Sequence, residues 1–300
     1  MVDTLRLIGN TPLLRIEPWY REISRNVEIY AKLEFFNPGG SVKDRPAYFI
    51  ISDLEKRGVI TKDKILIDAT SGNTGIAYAM ICSIKGYPIT LVVPANASEE
   101  RKKILKMLGA NVIYSDPLEG TDGSQDVVEE IVRKNPDKYI LLDQYNNKNN
   151  YLAHYNTTAV EIISQTRGRI THFVSSVGTS GTFVGTSKRL KEFNPFIRTY
   201  TVEPDSEYHG IEGVKHLASS KVPGIFDHSL VDGKFFVSTE NAYSMVREFS
   251  RRYGLIIGPS SGMNLCAAFE LAKTLDSGVI VTVFPDSISR YFSNHALWNW

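Results

Sequence analysis

Residues 64–84 read KILIDATSGNTGIAYAMICSI, which is an apolar run, a polar turn and a second apolar run. The first run, Lys64–Ala69, is apolar on both faces and predicts a strand that helices cover on both sides. The second run, Ile76–Ile84, predicts a buried helix. The turn between them, Ala69–Gly75, is rich in glycine and hydroxyl residues. Such a strand–turn–helix unit is typical of an α/β fold with a parallel sheet.

The same alternation continues along the rest of the chain. Because crossovers between such elements are right-handed and build parallel sheets, we expect an α/β protein. The other predicted strands are Val27–Glu34, Pro88–Val93, Asn111–Ser115, Tyr139–Asp143, Thr171–Val177, Ile197–Val202, Lys234–Ser238 and Val279–Phe284. The other predicted helices are Pro46–Leu54, Ser98–Leu108, Ser124–Lys134, Phe183–Leu190, Asn241–Tyr253 and Gly262–Leu275.

A polar stretch, Tyr145–Asn150, separates two groups of predicted strands. The first group ends near Asp143 and the second begins at Thr171, which favours two sheets in two lobes. In proteins of this kind, ligands bind at the carboxyl ends of parallel strands and in clefts between lobes. We therefore expect the functional site in the cleft between the lobes.

Composition excludes several classes of protein. The 300 residues carry a net charge of +1, which argues against binding nucleic acid or anionic membranes through bulk charge. The two cysteines exclude a disulfide scaffold, and no histidines repeat at metal-ligand spacing, so we expect no metal site. No apolar run reaches the roughly 20 residues of a membrane helix, and Met1–Ile16 does not resemble a signal peptide. We expect a soluble, cytoplasmic enzyme.

The loop Asn37–Arg45 places a lysine in an unusual position. Lys43 follows a Gly-Gly turn and lies just before a predicted helix, where a positive charge opposes the helix dipole. One interpretation is a cleft lysine whose pKa is lowered enough for it to act as a nucleophile. The alternative is an ordinary solvated lysine, which this loop alone favours.

Three further loops join a strand to a helix and carry small and hydroxyl residues. Thr70–Gly75 is suited either to bind an anion or simply to cap a helix. In Gly178–Thr182, five small residues with three hydroxyls favour a phosphate site, although the spacing is neither a Walker nor a Rossmann motif. Gly258–Gly262 is explained well by helix capping alone. A single ligand could occupy all four loops. It would need a phosphate, an aldehyde to react with Lys43 and a ring for the remaining loops to hold, and pyridoxal phosphate has all three.

These motifs together resemble the cysteine synthase family of pyridoxal-phosphate enzymes. The resemblance covers nearly the whole chain and also includes Ile8–Leu13 and Lys85–Pro94. It implies an α/β protein of fold type II, similar to the tryptophan synthase β subunit, with two lobes that each contain a mostly parallel, twisted sheet flanked by helices. Residues 37–147 would form a smaller, mobile lobe with the substrate-carboxylate loop. Residues 1–36 and 148–300 would form a larger lobe with the phosphate loop and the pyridine-nitrogen site.

The resemblance also implies roles for individual residues. Lys43 would be the catalytic residue and form a Schiff base with the cofactor, Asn73 would bind the ring oxygen, and Ser260 would bind the pyridine nitrogen. The cofactor phosphate would be held by Gly178, Thr179, Ser180, Gly181 and Thr182. The substrate carboxylate would be bound by Thr70, Ser71, Gly72, Asn73 and Thr74, with Gln144 as a further contact. The local sequence around Asp232 favours a turn residue. The alternative interpretation is an auxiliary role for Asp232 in the cleft.

The activity that the resemblance implies is β-replacement through an aminoacrylate intermediate. L-Cysteine would be made from sulfide and O-acetyl-L-serine, or O-phosphoserine. One alternative is a lyase of the same fold that releases hydrogen sulfide from L-cysteine, and another is an inactive binding module. Residues 285–294 depart from the family pattern, which leaves the substrate open.

The family resemblance extends to partners. It implies a homodimer, which Trp298 and Trp300 favour because aromatic side chains are common at interfaces. A known binding partner of the family is serine acetyltransferase, but no feature of this sequence supports that partner here.

Overall fold

Ten strands and nine α-helices alternate along the part of the chain that the computed structural model describes, residues 3–70 and 72–298. The strands are β1 (Leu13–Ile16), β2 (Val27–Leu33), β3 (Ile65–Ala69), β4 (Ile89–Pro94), β5 (Asn111–Ser115), β6 (Tyr139–Leu141), β7 (His172–Ser176), β8 (Arg198–Pro204), β9 (Gly233–Val237) and β10 (Gly278–Phe284). The helices are α1 (Asp44–Lys56), α2 (Asn73–Lys85), α3 (Glu99–Met107), α4 (Gly120–Lys134), α5 (Lys148–Ala153), α6 (Ala159–Gln165), α7 (Gly181–Phe193), α8 (Thr239–Tyr253) and α9 (Pro259–Lys273).

The strands form two sheets. One has six strands in the order β1-β2-β10-β7-β8-β9, and the other has four in the order β5-β4-β3-β6. Every pairing is parallel except that of β1 with β2, where Leu13 lies opposite Lys32. The prediction of an α/β fold with two mostly parallel sheets is therefore confirmed.

Burial explains why the sequence pattern is informative. All six residues of β4 are buried, and β10 is buried from Val279 to Phe284, as expected for strands covered on both faces. Helices α2 and α9 are likewise buried along most of their length. A helix that is apolar all round belongs in the interior, and the motif-bearing turns before α2 and α9 are thereby held at the ends of buried elements.

The sheets differ from the sequence prediction in two main respects. The short strand β1 was not predicted; it is four residues long and Arg15 in it is exposed, so its apolar pattern is weak. In addition, β2 pairs with β10, about 250 residues away in sequence, and not with the strands that follow it. Local sequence cannot reveal this pairing, because the periodicity of a strand does not name its partner.

Several helices begin earlier than their apolar pattern indicates. Helix α2 begins at Asn73, α7 at Gly181 and α9 at Pro259, each inside the polar motif that precedes the apolar run. The first turns of these helices are therefore part of the loops discussed above. Within the described residues, no helix is long and apolar enough to cross a membrane.

Candidate active site

Lys43 lies immediately before α1 and lines a cavity of about 720 Å³. Two backbone contacts hold the segment that carries Lys43. The Val42 amide donates to the Pro285 carbonyl (2.8 Å), and Ser41 forms an isolated antiparallel β-bridge with Asp286. The side chain faces the cavity, and the surrounding protein desolvates its amine. This burial lowers the pKa of Lys43 from 10.5 to about 8, although the negative charge of Asp286 partly opposes the shift. An amine with this pKa is available as a nucleophile or base near neutral pH.

The loop between β3 and α2 is shaped by Thr70. Its buried hydroxyl accepts hydrogen bonds from the amides of Gly72 and Gly75, both at 3.0 Å. Gly72 has a φ of +149°, and a side chain there would collide with Arg101, so only glycine fits. Thr70 and Gly72 thus form the frame of the loop, whereas Asn73 and Thr74 line the cavity. Ser71 lies outside the described residues.

Gln144 completes this side of the cavity. It is 3% exposed, and its Nε2 donates to the Ala69 carbonyl at 2.5 Å, which ties the end of β6 to the end of β3. Its backbone amide donates to the Asp68 carboxylate (3.2 Å). Burial raises the pKa of Asp68 to about 7. Gln144 is therefore fixed beside the loop that the resemblance assigns to the substrate carboxylate.

The loop Gly178–Thr182 connects β7 to α7. Ser180 caps the helix with a φ of +69°, and the first amides of α7 have no partners within the helix. A side chain at Gly178 would strike the Gly213 carbonyl, and one at Gly181 would strike Asn150. Asn150 Nδ2 donates to Thr179 Oγ1 at 3.0 Å, and this hydrogen bond anchors the loop to α5. Gly178, Thr179, Ser180 and Thr182 line the cavity, with Gly181 between them at the helix start.

Ser260 approaches the same cavity from the N-terminus of α9. It is 5% exposed, and Pro259 is the first residue of the helix, where its missing N–H costs nothing. Ser260, Lys43, Asn73 and the Gly178–Thr182 loop come from four separate segments, yet all reach one cavity. The tertiary structure brings these predicted residues together.

Asp232 lies apart from this group. Its carboxylate accepts hydrogen bonds from Lys191 Nζ (2.5 Å) and from the Thr199 amide (2.7 Å), at the start of β9. It is not among the residues that line the cavity. The contacts explain Asp232 as the turn residue that the sequence first indicated, and it joins two strands of the six-stranded sheet.

Sequence reasoning missed two buried charged residues of the cavity, Asp286 and Arg101. Asp286 follows the end of β10, and this position at the carboxyl end of a parallel strand was a usable signal. Arg101 lies on α3, is 2% exposed and contacts Glu212; its guanidinium is 4.9 Å from the centre of the Tyr291 ring. No local pattern distinguishes this arginine from the lysines that follow it.

The residues present fit pyridoxal phosphate. Among the described residues, Ser180 Oγ and Asn73 Oδ1 are buried without hydrogen-bond partners, and both belong to cavity-lining residues. Buried polar atoms without partners are rare and call for an explanation. A phosphate at the N-terminus of α7 would supply a partner to the Ser180 hydroxyl, and a ring oxygen beside Asn73 would accept from the amide of that residue.

Comparison with known proteins agrees with this fit. Residues 4–286 match the family described as pyridoxal-phosphate dependent enzyme. The chain is 53% identical to a cysteine synthase of Aquifex aeolicus over 96% of this chain and 90% of that protein, and 41% identical to cysteine synthase B of Escherichia coli over 95% and 93%. A solved structure of a hydrogen sulfide-producing enzyme from Fusobacterium nucleatum matches with a TM-score of 0.91 and 38% identity, over 97% of this chain and 99% of that one. This chain belongs to the cysteine synthase family of pyridoxal-phosphate dependent enzymes.

Proposed function

We propose that this enzyme makes L-cysteine from O-acetyl-L-serine and sulfide by β-replacement, and that O-phosphoserine is the other activated serine to be tested. The observation that carries the proposal is the half-buried Lys43, with its lowered pKa, in a cavity where the N-termini of α2, α7 and α9 converge. Such a cavity suits a small substrate that carries a carboxylate and a leaving group. The relatives named cysteine synthase support the reaction class.

The cofactor is assigned to the residues that line the cavity. In this assignment Lys43 holds its aldehyde carbon, Asn73 its ring oxygen and Ser260 its pyridine nitrogen. The phosphate goes to Gly178, Thr179, Ser180, Gly181 and Thr182. Support comes from the free amides at the start of α7 and from the unpartnered Ser180 hydroxyl.

The substrate carboxylate is assigned to the loop before α2. The residues assigned to this role are Thr70, Ser71, Gly72, Asn73 and Thr74, with Gln144 beside them. Thr70 contributes indirectly, since its hydroxyl already accepts from two amides and so aims the loop. The positive end of the α2 dipole favours a bound carboxylate at this place.

Bound pyridoxal phosphate supplies an electron sink that stabilises negative charge at the substrate Cα. Once the substrate's amino group has displaced Lys43 from the aldehyde carbon, the freed Lys43 Nζ removes the Cα proton. Acetate leaves from Cβ with the bonding electrons, sulfide forms the new bond to Cβ, and Lys43 returns a proton to Cα. The pKa of about 8 suits both directions of proton transfer near neutral pH. The hydroxyl of Ser260, unlike a carboxylate, does not hold a proton strongly on the pyridine nitrogen. The ring is then a weaker electron sink, which favours β-elimination over transamination.

A second candidate is release of hydrogen sulfide from L-cysteine at the same site. The specific observation in its favour is the likeness to the hydrogen sulfide-producing enzyme of Fusobacterium nucleatum. The same residues would serve both reactions, because each begins with removal of the Cα proton and loss of a group from Cβ.

The enzyme is further proposed to have two lobes, to form a homodimer and to lie in the cytoplasm. We assign residues 37–147 to a smaller mobile lobe and residues 1–36 and 148–300 to a larger one, which the division of the strands between two sheets supports. A homodimer is supported by the exposed Phe292, whose ring is stacked on Trp298; Trp300 lies outside the described residues. A cytoplasmic location is supported by the two free cysteines, Cys82 and Cys266.

The test compares three reactions of the purified enzyme. O-Acetylserine plus sulfide, O-phosphoserine plus sulfide, and cysteine alone are each assayed for cysteine formed and sulfide released. We expect rapid cysteine formation from O-acetylserine and slow sulfide release from cysteine, with both lost in Lys43→Ala. Faster sulfide release from cysteine than cysteine synthesis would overturn the synthase proposal in favour of the lyase.

A further inference from the structure

Asp286 is a buried acidic residue that none of the assigned roles uses. It follows β10 by two residues, is 1% exposed and lines the cavity together with Lys43, Asn73 and Ser260. Burial of a carboxylate is costly unless other groups compensate for the lost water. Its position in the cavity wall therefore calls for a specific explanation.

Two side chains donate to the same oxygen of Asp286. Asn73 Nδ2 lies 2.7 Å from Oδ2, and the Tyr291 hydroxyl lies 2.5 Å from it. Tyr291 is 1% exposed, so the carboxylate is held on one side by a fixed donor. On its other side, a side chain at Gly258 would strike Asp286 Oδ1, which shows how closely the carboxylate packs against the start of α9.

The hydrogen bond from Asn73 decides which way its amide faces. An asparagine amide has two N–H donors at one end and an acceptor at the other, and only its neighbours determine the orientation. Asp286 accepts one N–H, so Nδ2 is turned toward the carboxylate and its second N–H remains for another acceptor. Asn73 Oδ1 has no partner among the described residues.

The charges around Asp286 come from several elements. Lys43, before α1, experiences its negative charge, and so do Arg101 on α3 and Arg290 in the segment after β10. Arg101 also contacts Glu212, and its guanidinium lies over the Tyr291 ring. The negative charge of Asp286 thus acts on three cationic side chains, those of Lys43, Arg101 and Arg290.

We propose that Asp286 is a positioning residue for the cofactor ring, and that it acts by orienting the Asn73 amide. The inference rests on the proposed location of the ring beside Asn73. With the amide oriented by Asp286, its second N–H donates to the ring oxygen, whereas an unrestrained amide would also present its acceptor end there.

Two variants, Asp286→Asn and Asp286→Ser, test the proposal. The serine is included because the amide of an introduced asparagine could oppose that of Asn73. Loss of a hydrogen bond to a charged group predicts that pyridoxal phosphate binds about tenfold more weakly in both. We also expect the visible absorption band of the bound cofactor to shift. Asp232→Asn, the same substitution in a carboxylate outside the cavity, should change neither quantity.

A double-mutant cycle with Asn73→Ala shows whether Asp286 acts through Asn73. If it does, the double variant Asn73→Ala/Asp286→Asn binds the cofactor within about twofold of Asn73→Ala alone. Fully additive losses would overturn the proposal, as would unchanged affinity and absorption in both Asp286 variants. Because these measurements use no substrate, an enzyme that makes no cysteine would overturn the proposed function and leave this inference intact.

Discussion

Lys43 shows how a single side chain acquires its reactivity from its surroundings. The loop sequence alone favours a solvated lysine, whereas the structure places the amine inside the protein. Burial disfavours the charged form of an amine and therefore lowers its pKa. The nearby Asp286 limits that shift, so the balance of the two effects leaves Lys43 with a pKa of about 8.

This balance predicts the pH at which Lys43 becomes reactive. In the cofactor-free enzyme, labelling of Lys43 by dilute acetic anhydride, followed by peptide mass spectrometry, should rise with pH to a midpoint near 8. The sign follows because the folded-state pKa lies below the ordinary value, so the neutral amine forms at lower pH. In urea the midpoint should return to about 10.4. A midpoint near that value in the folded protein would show that the amine is solvated.

At the scale of elements, contacts between α3 and the segment after β8 connect the parts of the chain that carry the two sheets. Arg101 on α3 contacts Glu212, which lies in the segment between β8 and β9. Nearby, Lys215 Nζ lies 2.8 Å from Asp122 of α4, and Lys221 Nζ lies 2.6 Å from Asp126. The first two ion pairs join residues that line the cavity, so they are placed to hold its entrance in one arrangement, whereas Lys221 and Asp126 are not among the lining residues.

Removal of one such pair should loosen the entrance. In Glu212→Gln, the segment around residue 212 and α3 should exchange amide hydrogens about fivefold faster, which corresponds to a loss of at most about 1 kcal/mol for a partly exposed pair. Hydrogen exchange with mass spectrometry measures this change. Lys221→Gln is the matched control, because its pair with Asp126 is well exposed and should contribute little. Equal effects of both substitutions would contradict a special role for Glu212.

At the scale of the whole molecule, a buried ionic cluster connects α1 to the six-stranded sheet and α6. Arg45 donates to Glu34 (2.7 Å from Nε and 2.8 Å from Nη2) and to Glu161 (2.6 Å from Nη1). Lys32 adds a second contact to Glu161 at 2.7 Å. Two acids and two bases thus balance in the interior, and they anchor the start of α1 two residues from Lys43.

Breaking this cluster should destabilise the fold. Arg45→Met leaves Glu34 and Glu161 without their main partner, and an uncompensated buried charge costs about 3–5 kcal/mol. Urea unfolding of the holoenzyme should show a correspondingly lower midpoint. Arg57→Met removes an exposed arginine at the C-terminal cap of the same helix, whose pair with Asp53 is at the surface, and should change stability by less than about 0.5 kcal/mol. A comparably small loss in Arg45→Met would contradict the proposed anchoring role.

The sequence by itself determined most of the secondary structure and the segments that carry the chemistry. Apolar runs such as Pro88–Val93 indicated buried strands, because burial on both faces requires apolar residues at nearly every position. The motifs around Lys43, Asn73 and Gly178 were also visible in the local sequence. Tight turns and helix starts need small and hydroxyl residues, and these motifs are rich in them.

Only the tertiary structure decided which residues meet. The pairing of β2 with β10, the contact of Asp286 with Asn73 and the burial of Arg101 all join segments far apart in the chain. Strand periodicity does not specify a partner, and a charged residue in a loop looks the same whether it is solvated or buried. The pKa of Lys43 and the use of Asp286 depend on those long-range contacts, so they could be read only from the folded chain.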